Sequence, residues 1–246
     1  MKTTSTTTSK ASTYFVGGFA ALLMLAIIVI QMISFMIAQP PYEGTAVDWF
    51  NIFQKNPLMG LIDFELLMVF YTLLSIAVAL ALYRILKDIN PYLTSLYMII
   101  TVIGVLSFIA ARPAFEMLHL SNQYAAAATQ TERAIFLAAG EAKLAAFNGT
   151  SFHISYFLGS LGGLLISLVM LKTSIFSKAT AYVRIASSIC DLGLYIPVVG
   201  LYISIFSVLF LFIWNILIAH RLFQLGNTNS KANENNIYTL THEGGI

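Results

Sequence analysis

The chain alternates between long apolar runs and short polar breaks. Residues 14–38 pass about twenty-five positions without a charged side chain. Apolar runs follow, with variations, at 58–83, 92–111, 152–171, 180–197 and 201–220, the first and fourth of these carrying two charged residues each. A helix needs about 20 predominantly apolar residues to cross the hydrocarbon core of a bilayer. The pattern therefore predicts an all-α polytopic membrane bundle of six transmembrane helices. The last two runs form one apolar stretch, too long for a single ordinary crossing. Pro197 and Gly200 interrupt it, and proline removes a helical donor and crowds the preceding turn. Two shorter crossings joined by a tight hairpin are expected there.

The polar breaks differ in kind. Residues 39–57 are short and proline-rich and read as a loop. Residues 112–149 form the longest break, and their second half predicts one extra-cytoplasmic helix between the third and fourth spans. Thr129 and Glu132 have the spacing of a capping box, in which a hydroxyl and a carboxylate satisfy free amide donors. Asn148-Gly149 supplies a stop. Between them Phe136, Leu137, Gly140, Leu144 and Phe147 recur at helical spacing, a face suited to lie on the membrane surface or to cap the bundle. The ends, 1–13 and 226–246, are polar and rich in Thr, Asn and Ser, and predict disordered tails flanking a transmembrane domain over 14–225. The first apolar run exceeds the roughly 7–15 residues of a signal-peptide core, so an uncleaved first helix is expected.

Composition narrows the class further. Only 10% of the residues are charged against 58% hydrophobic, and the mean hydropathy is +0.81. A soluble domain averages roughly a quarter charged, so this chain has too little polar surface to coat a water-exposed globule. The single cysteine, Cys190, excludes an internal disulfide and a cysteine-built zinc cage. Net charge is only +2, but its distribution is informative. With the N-terminus placed inside, nine of the thirteen Lys and Arg fall on inner segments or near the inner end of the fifth span. Positive charge marks the cytoplasmic side, so both termini are expected there, in a bacterial cytoplasmic membrane.

Charged groups within or beside spans are costly and mark candidate sites. Asp63 and Glu65 lie at the outer end of the second span. Arg112 closes the third on the same side, with Glu116 and His119 on any continuation of that helix, and His153 opens the fourth. Pro113 predicts a kink and a polar vestibule. Asp63 and Glu65 are two apart and point to different helix faces, so at most one can meet Arg112. Asp191 sits deep in the fifth span, a candidate for a proton or cation relay or a packing carboxyl. The ligand- or ion-binding candidates are thus Asp63, Glu65, Arg112, Glu116 and Asp191, and His119 and His153 are weak metal candidates. Ser155, Gly159, Gly163 and Ser167 recur every fourth residue. Small residues so spaced let helices approach closely in lipid, which predicts a packing face.

The stretch Leu82-Tyr83-Arg84-Ile85-Leu86-Lys87 through Asn90-Pro91 resembles a signature of an uncharacterised family of bacterial six-helix integral membrane proteins, a domain of unknown function. Phe157 to Gly193 is similar too: a Gly-rich helix, a short basic loop and another helix. The resemblance covers about residues 14–222. The loop Ser177-Lys178-Ala179-Thr180 departs from the Pro and Gly usual there. The resemblance implies a fold and a bacterial inner membrane, and carries no activity and no catalytic residues.

No phosphate loop, dinucleotide fingerprint, paired-histidine metal motif, nucleophile elbow or basic nucleic-acid patch occurs. No catalytic residue and no cofactor is assigned. The expected partners are the lipid bilayer and a membrane-protein partner or a second copy of the chain, with no nucleic acid. The leading expectation is a non-enzymatic integral membrane protein that binds a ligand, senses or engages a partner. The alternatives are a small solute or ion transporter using Asp191 and the outer charged cluster, and a membrane-embedded metal hydrolase.

Overall fold

In the computed structural model, which describes residues 2–37 and 39–243, the regular elements are helices. They are α1 (Lys2–Ile37), α2 (Ala46–Lys55), α3 (Pro57–Asp63), α4 (Leu66–Leu86), α5 (Pro91–Ala110), α6 (Ala114–Ala126), α7 (Gln130–Phe147), α8 (Thr150–Met170), α9 (Lys178–Leu192) and α10 (Gly200–Glu243), with a 3-10 turn at Gly193–Tyr195. Five helical stretches are long and apolar enough to cross a membrane: Ala11–Ile37, Leu66–Leu86, Pro91–Ala126, Gln130–Met170 and Tyr202–Ala232. The expected fifth crossing is not among them. Its helix, α9, has 15 residues, about 22 Å at the α-helical rise, against a hydrocarbon core of about 30 Å. It ends before Pro197, in a turn where Val198 takes a left-handed φ of 70°.

The terminal helices run from Lys2 and as far as Glu243. Once a helix is nucleated, each further residue gains a hydrogen bond for two dihedrals fixed, and neither polar end contains a proline to stop that extension. Met1 and residues 244–246 lie outside the described residues.

The chain divides into two compact units. The first takes residues 1–25, 74–101 and 160–246. Its interior is made by Val78, Leu82 and Leu86 of α4, Ile166 and Met170 of α8, and Ile218 and Leu222 of α10, all buried. Gly17 is where α1 meets α4: a Cβ there would stand 2.7 Å from the Cβ of Ala81, so only glycine allows this approach. Ser177 caps α9 by accepting from the Thr180 amide at 3.2 Å.

The second unit takes residues 26–73 and 102–159. Its core gathers Ala46, Trp49, Phe50 and Phe53 of α2, Phe64, Ala114 and Met117 of α6, and Phe147 of α7. Phe64 is the hub, with ring centroids 4.8 Å from Trp49 and 4.6 Å from Phe147. Where the sequence predicts a loop, Ala46–Lys55 is helical. Asp48 caps it, accepting from the Thr45 amide at 2.8 Å, and Glu141 of α7 accepts from the Ala46 amide at 2.8 Å. The helix predicted after Thr129 is present as α7, with Thr129 accepting from the Glu132 amide at 3.1 Å. Its Leu137, Gly140, Leu144 and Phe147 face is turned into this core rather than left open. A further helix, α6, precedes it.

Candidate functional site

Two breaks in helical backbone, far apart in sequence, build the candidate site within the second unit. The first separates α3 from α4 and contains neither proline nor glycine. Glu65 sits there with φ 61°, a left-handed conformation that costs a side chain with a Cβ of order 1–3 kcal/mol. The second separates α5 from α6. Pro113 lacks an amide hydrogen and disfavours helical backbone at Arg112 before it, so Arg112 is released from both helices. Arg112 Nε then meets Glu65 Oε2 at 2.8 Å, with the two side chains 2% and 18% exposed.

The guanidinium is completed by backbone and aromatic groups. Its Nη1 donates to the carbonyls of Phe147 at 2.9 Å and Ala111 at 3.1 Å. The rings of Phe147, Phe108 and Phe152 surround it, 4.0, 4.4 and 5.0 Å from Cζ to their centroids. An aromatic face attracts a cation most strongly where water is excluded. On the carboxylate side, Tyr42 Oη donates to Glu65 Oε1 at 3.4 Å. Burial pushes the Tyr42 phenol well above its ordinary range, and the Glu65 charge adds to that.

Asp63 has a different setting two residues earlier. It is fully buried at the junction of α3 with α1. Ser34 Oγ donates to its Oδ1 at 2.7 Å, and three residues away Gln31 Nε2 donates to the Ile62 carbonyl at 3.1 Å. Asp63 Oδ2 and Gln31 Oε1 are both buried without a hydrogen-bond partner. Burial raises the Asp63 carboxyl above its ordinary value, opposed by the Ser34 hydrogen bond.

Of the two neighbouring carboxylates, Glu65 is thus the one that meets Arg112. The remaining candidates disperse. Glu116 lies on the exposed side of α6, 4.0 Å from Lys143, with both side chains in solvent. His119 of α6 and His153 of α8 are exposed. His153 stands edge-on to Phe152 at 5.3 Å. Among the described residues no three His, Cys, Asp or Glu side chains gather so as to hold a metal ion. Asp191 belongs to the first unit, where it is buried one residue before the end of α9 rather than mid-helix. The small-residue stripe of α8 is not one continuous face. Gly163 is pressed against Arg184 and Ser188 of α9, and Ser155 and Ser167 are buried. A Cβ on Gly159 would meet no neighbour within 4 Å. Near Ser155, α8 lies against Gly104 of α5, and near Gly163 against α9.

A family model described as a domain of unknown function, DUF4386, matches residues 19–226. The chain belongs to this family. No curated protein and no solved structure gives a match. The DUF4386 match spans both helix breaks, so the Glu65–Arg112 pair and the Asp63 junction lie within the family's extent. Reading the charged residues finds Glu65 and Arg112, but it passes over Gln31, Ser34, Tyr42 and the three phenylalanines. A signal for two of them existed: Gln31 and Ser34 are polar residues three apart in an otherwise apolar run, hence on one helix face.

Proposed function

We propose that this DUF4386 protein is a non-enzymatic, six-span integral membrane protein of a bacterial cytoplasmic membrane. In this reading both termini are cytoplasmic, and helices α2, α3, α6 and α7 form an outer sensing or partner-binding segment. Five apolar stretches of spanning length support the membrane part. The excess of Lys and Arg on inner segments supports the orientation, with α9 and its following turn supplying the remaining crossing.

One observation carries the sensing role: the buried Glu65–Arg112 pair joins two helix breaks while one of its members is held in left-handed backbone. A strained residue persists only where its surroundings over-determine it. The pair is therefore a latch, and a ligand or partner that competes for Arg112 or Glu65 releases α3 from α4. Arg112 already has a carboxylate, two carbonyls and three rings around it, so it holds the outer helices closed rather than presenting an open anion site.

Hydrogen exchange on protein in lipid nanodiscs tests this. Glu65→Gln and Arg112→Gln are expected to speed exchange across Ala46–Lys55 and Ala114–Ala126, with Leu66–Leu86 unaffected. Exchange equal to wild type in both variants overturns the latch. The transporter alternative rests on Asp191, buried in α9. It requires Asp191→Asn to abolish a flux while expression holds. Among the described residues no cluster of metal-binding side chains supports the hydrolase alternative, which requires stoichiometric zinc that His153→Ala removes.

A further inference from the structure

The Asp63 junction is chemically incomplete in a specific way. It holds two buried oxygen acceptors, Asp63 Oδ2 and Gln31 Oε1, with no donor for either. The other half of each group is fixed: Ser34 Oγ holds Asp63 Oδ1 and the Ile62 carbonyl holds Gln31 Nε2. The Gln31 amide therefore cannot turn its donor toward Asp63 without losing its own hydrogen bond. Leaving one buried polar group unpaired costs about 1–3 kcal/mol, more for a charged one.

No cation of the cluster relieves this. The titratable groups around the junction are Tyr42, Glu65 and Arg112, which with Asp63 share one electrostatic neighbourhood. Arg112 is committed to Glu65 at 2.8 Å, so its positive charge is already matched. From α1 the junction receives only the neutral Gln31 and Ser34, and Met59 of α3 adds a thioether 3.7 Å from Ser34 Oγ.

We propose that Asp63, Gln31 and Ser34 form a proton-binding site, in which a proton on Asp63 Oδ2 is donated toward Gln31 Oε1. One proton supplies the missing donor, satisfies both acceptors and removes the buried charge. Its release leaves a carboxylate with an unpaired buried oxygen two residues from the strained Glu65. Deprotonation therefore loosens the α1–α3 junction beside the latch. The proposal deepens the sensing reading by adding a bound proton that keeps the junction beside the latch closed, and it rests on that reading for its consequence but not for the binding itself.

Because the site favours the protonated carboxyl, the folded pKa lies above the unfolded one. The stabilisation is then complete below the unfolded value and is lost as pH rises through the folded value. The test uses full-length protein in nanodiscs, with thermal unfolding followed from about pH 5 to about pH 8.5. The wild-type midpoint is expected to fall as pH rises, with a linkage approaching one proton taken up per chain on folding. Asp63→Asn, whose amide supplies a donor at every pH, is expected to flatten that dependence and to match or exceed the wild type at the alkaline end. The same pH response is expected in a Glu65→Gln background, which separates failure of the latch from failure of the proton site. A pH-independent wild type, or an Asp63→Asn variant with the wild-type slope, overturns the proposal. So does a midpoint that follows sodium when it replaces potassium at fixed pH, since the occupant is then a metal cation. Infrared difference spectra provide a readout that needs no variant. A protonated-carboxyl stretch that vanishes on raising the pH supports the site, and its absence at acid pH overturns it.

Discussion

Glu65 offers a way to measure two opposing energies at one position. Replacing it by alanine removes the carboxylate from Arg112, whose side chain is 2% exposed. Breaking a buried ion pair by removing one partner costs about 3–5 kcal/mol. The lower end applies here, because Arg112 keeps the Phe147 and Ala111 carbonyls and Glu65 itself is 18% exposed. Alanine also retains the left-handed φ of 61°, at a cost of roughly 1–2 kcal/mol that glycine does not bear. Glu65→Ala is therefore expected to destabilise by about 3 kcal/mol, and Glu65→Gly by roughly 1 kcal/mol less. The ordering reverses that of a helix interior, where glycine is the worse replacement. Trp49 reports the event: it packs edge-on to Phe64, the residue before Glu65, with centroids 4.8 Å apart. Denaturation of detergent-solubilised protein, followed by Trp49 emission in a Trp214→Phe background, gives both values. A Glu65→Gly variant no more stable than Glu65→Ala would refute the strain argument. A loss below about 1 kcal/mol in Glu65→Ala would place the pair with surface ion pairs.

Three further outcomes follow from the packing. Phe64→Ala empties the hub between Trp49 and Phe147 and is expected to cost about 3–5 kcal/mol, read as a blue-to-red shift of Trp49 emission together with the denaturation midpoint. Gly163→Val drives a side chain into Arg184 and Ser188. It is expected to destabilise by about 1–3 kcal/mol, whereas Gly159→Val, with open space around it, is expected to leave stability near wild type. The Thr45 amide and hydroxyl hold the Asp48 carboxyl below its ordinary range. Its support of α2 is therefore present above the unfolded value and lost as pH falls through the lower folded one. Asp48→Asn is expected to remove that acid-side acceleration of amide exchange at the start of α2, and an unchanged pH profile would disprove it.

Where helices are written in local pattern, the chain alone specifies them. The apolar runs mark the helices of spanning length, because hydrocarbon tolerates backbone only when its hydrogen bonds are satisfied within the segment. Thr129, Glu132 and the Phe136-to-Phe147 periodicity define α7, since capping and one-sided burial act over a few residues. The motif around Leu82-to-Lys87 and Asn90-Pro91 pointed to a family of unknown function. What local pattern missed has a common cause. In α2, Thr45 and Asp48 have capping spacing and Trp49, Phe50 and Phe53 an apolar face, but the flanking prolines disguise the helix as a loop. Its stability comes from Phe64, Met117 and Phe147, which lie elsewhere in the chain. The break at Glu65 carries no proline or glycine to announce it, because the strain there is offset by an arginine 47 residues away. Asp191 and Arg112 were both visible as charges in apolar surroundings. Tertiary packing alone decided that Arg112 meets a carboxylate within three aromatic rings, that Asp63 is buried against Ser34, and that His119 and His153 stay exposed. Hydropathy and capping are properties of neighbours in sequence. Ion pairing, desolvation and strain depend on which distant residues the fold brings within a few ångströms.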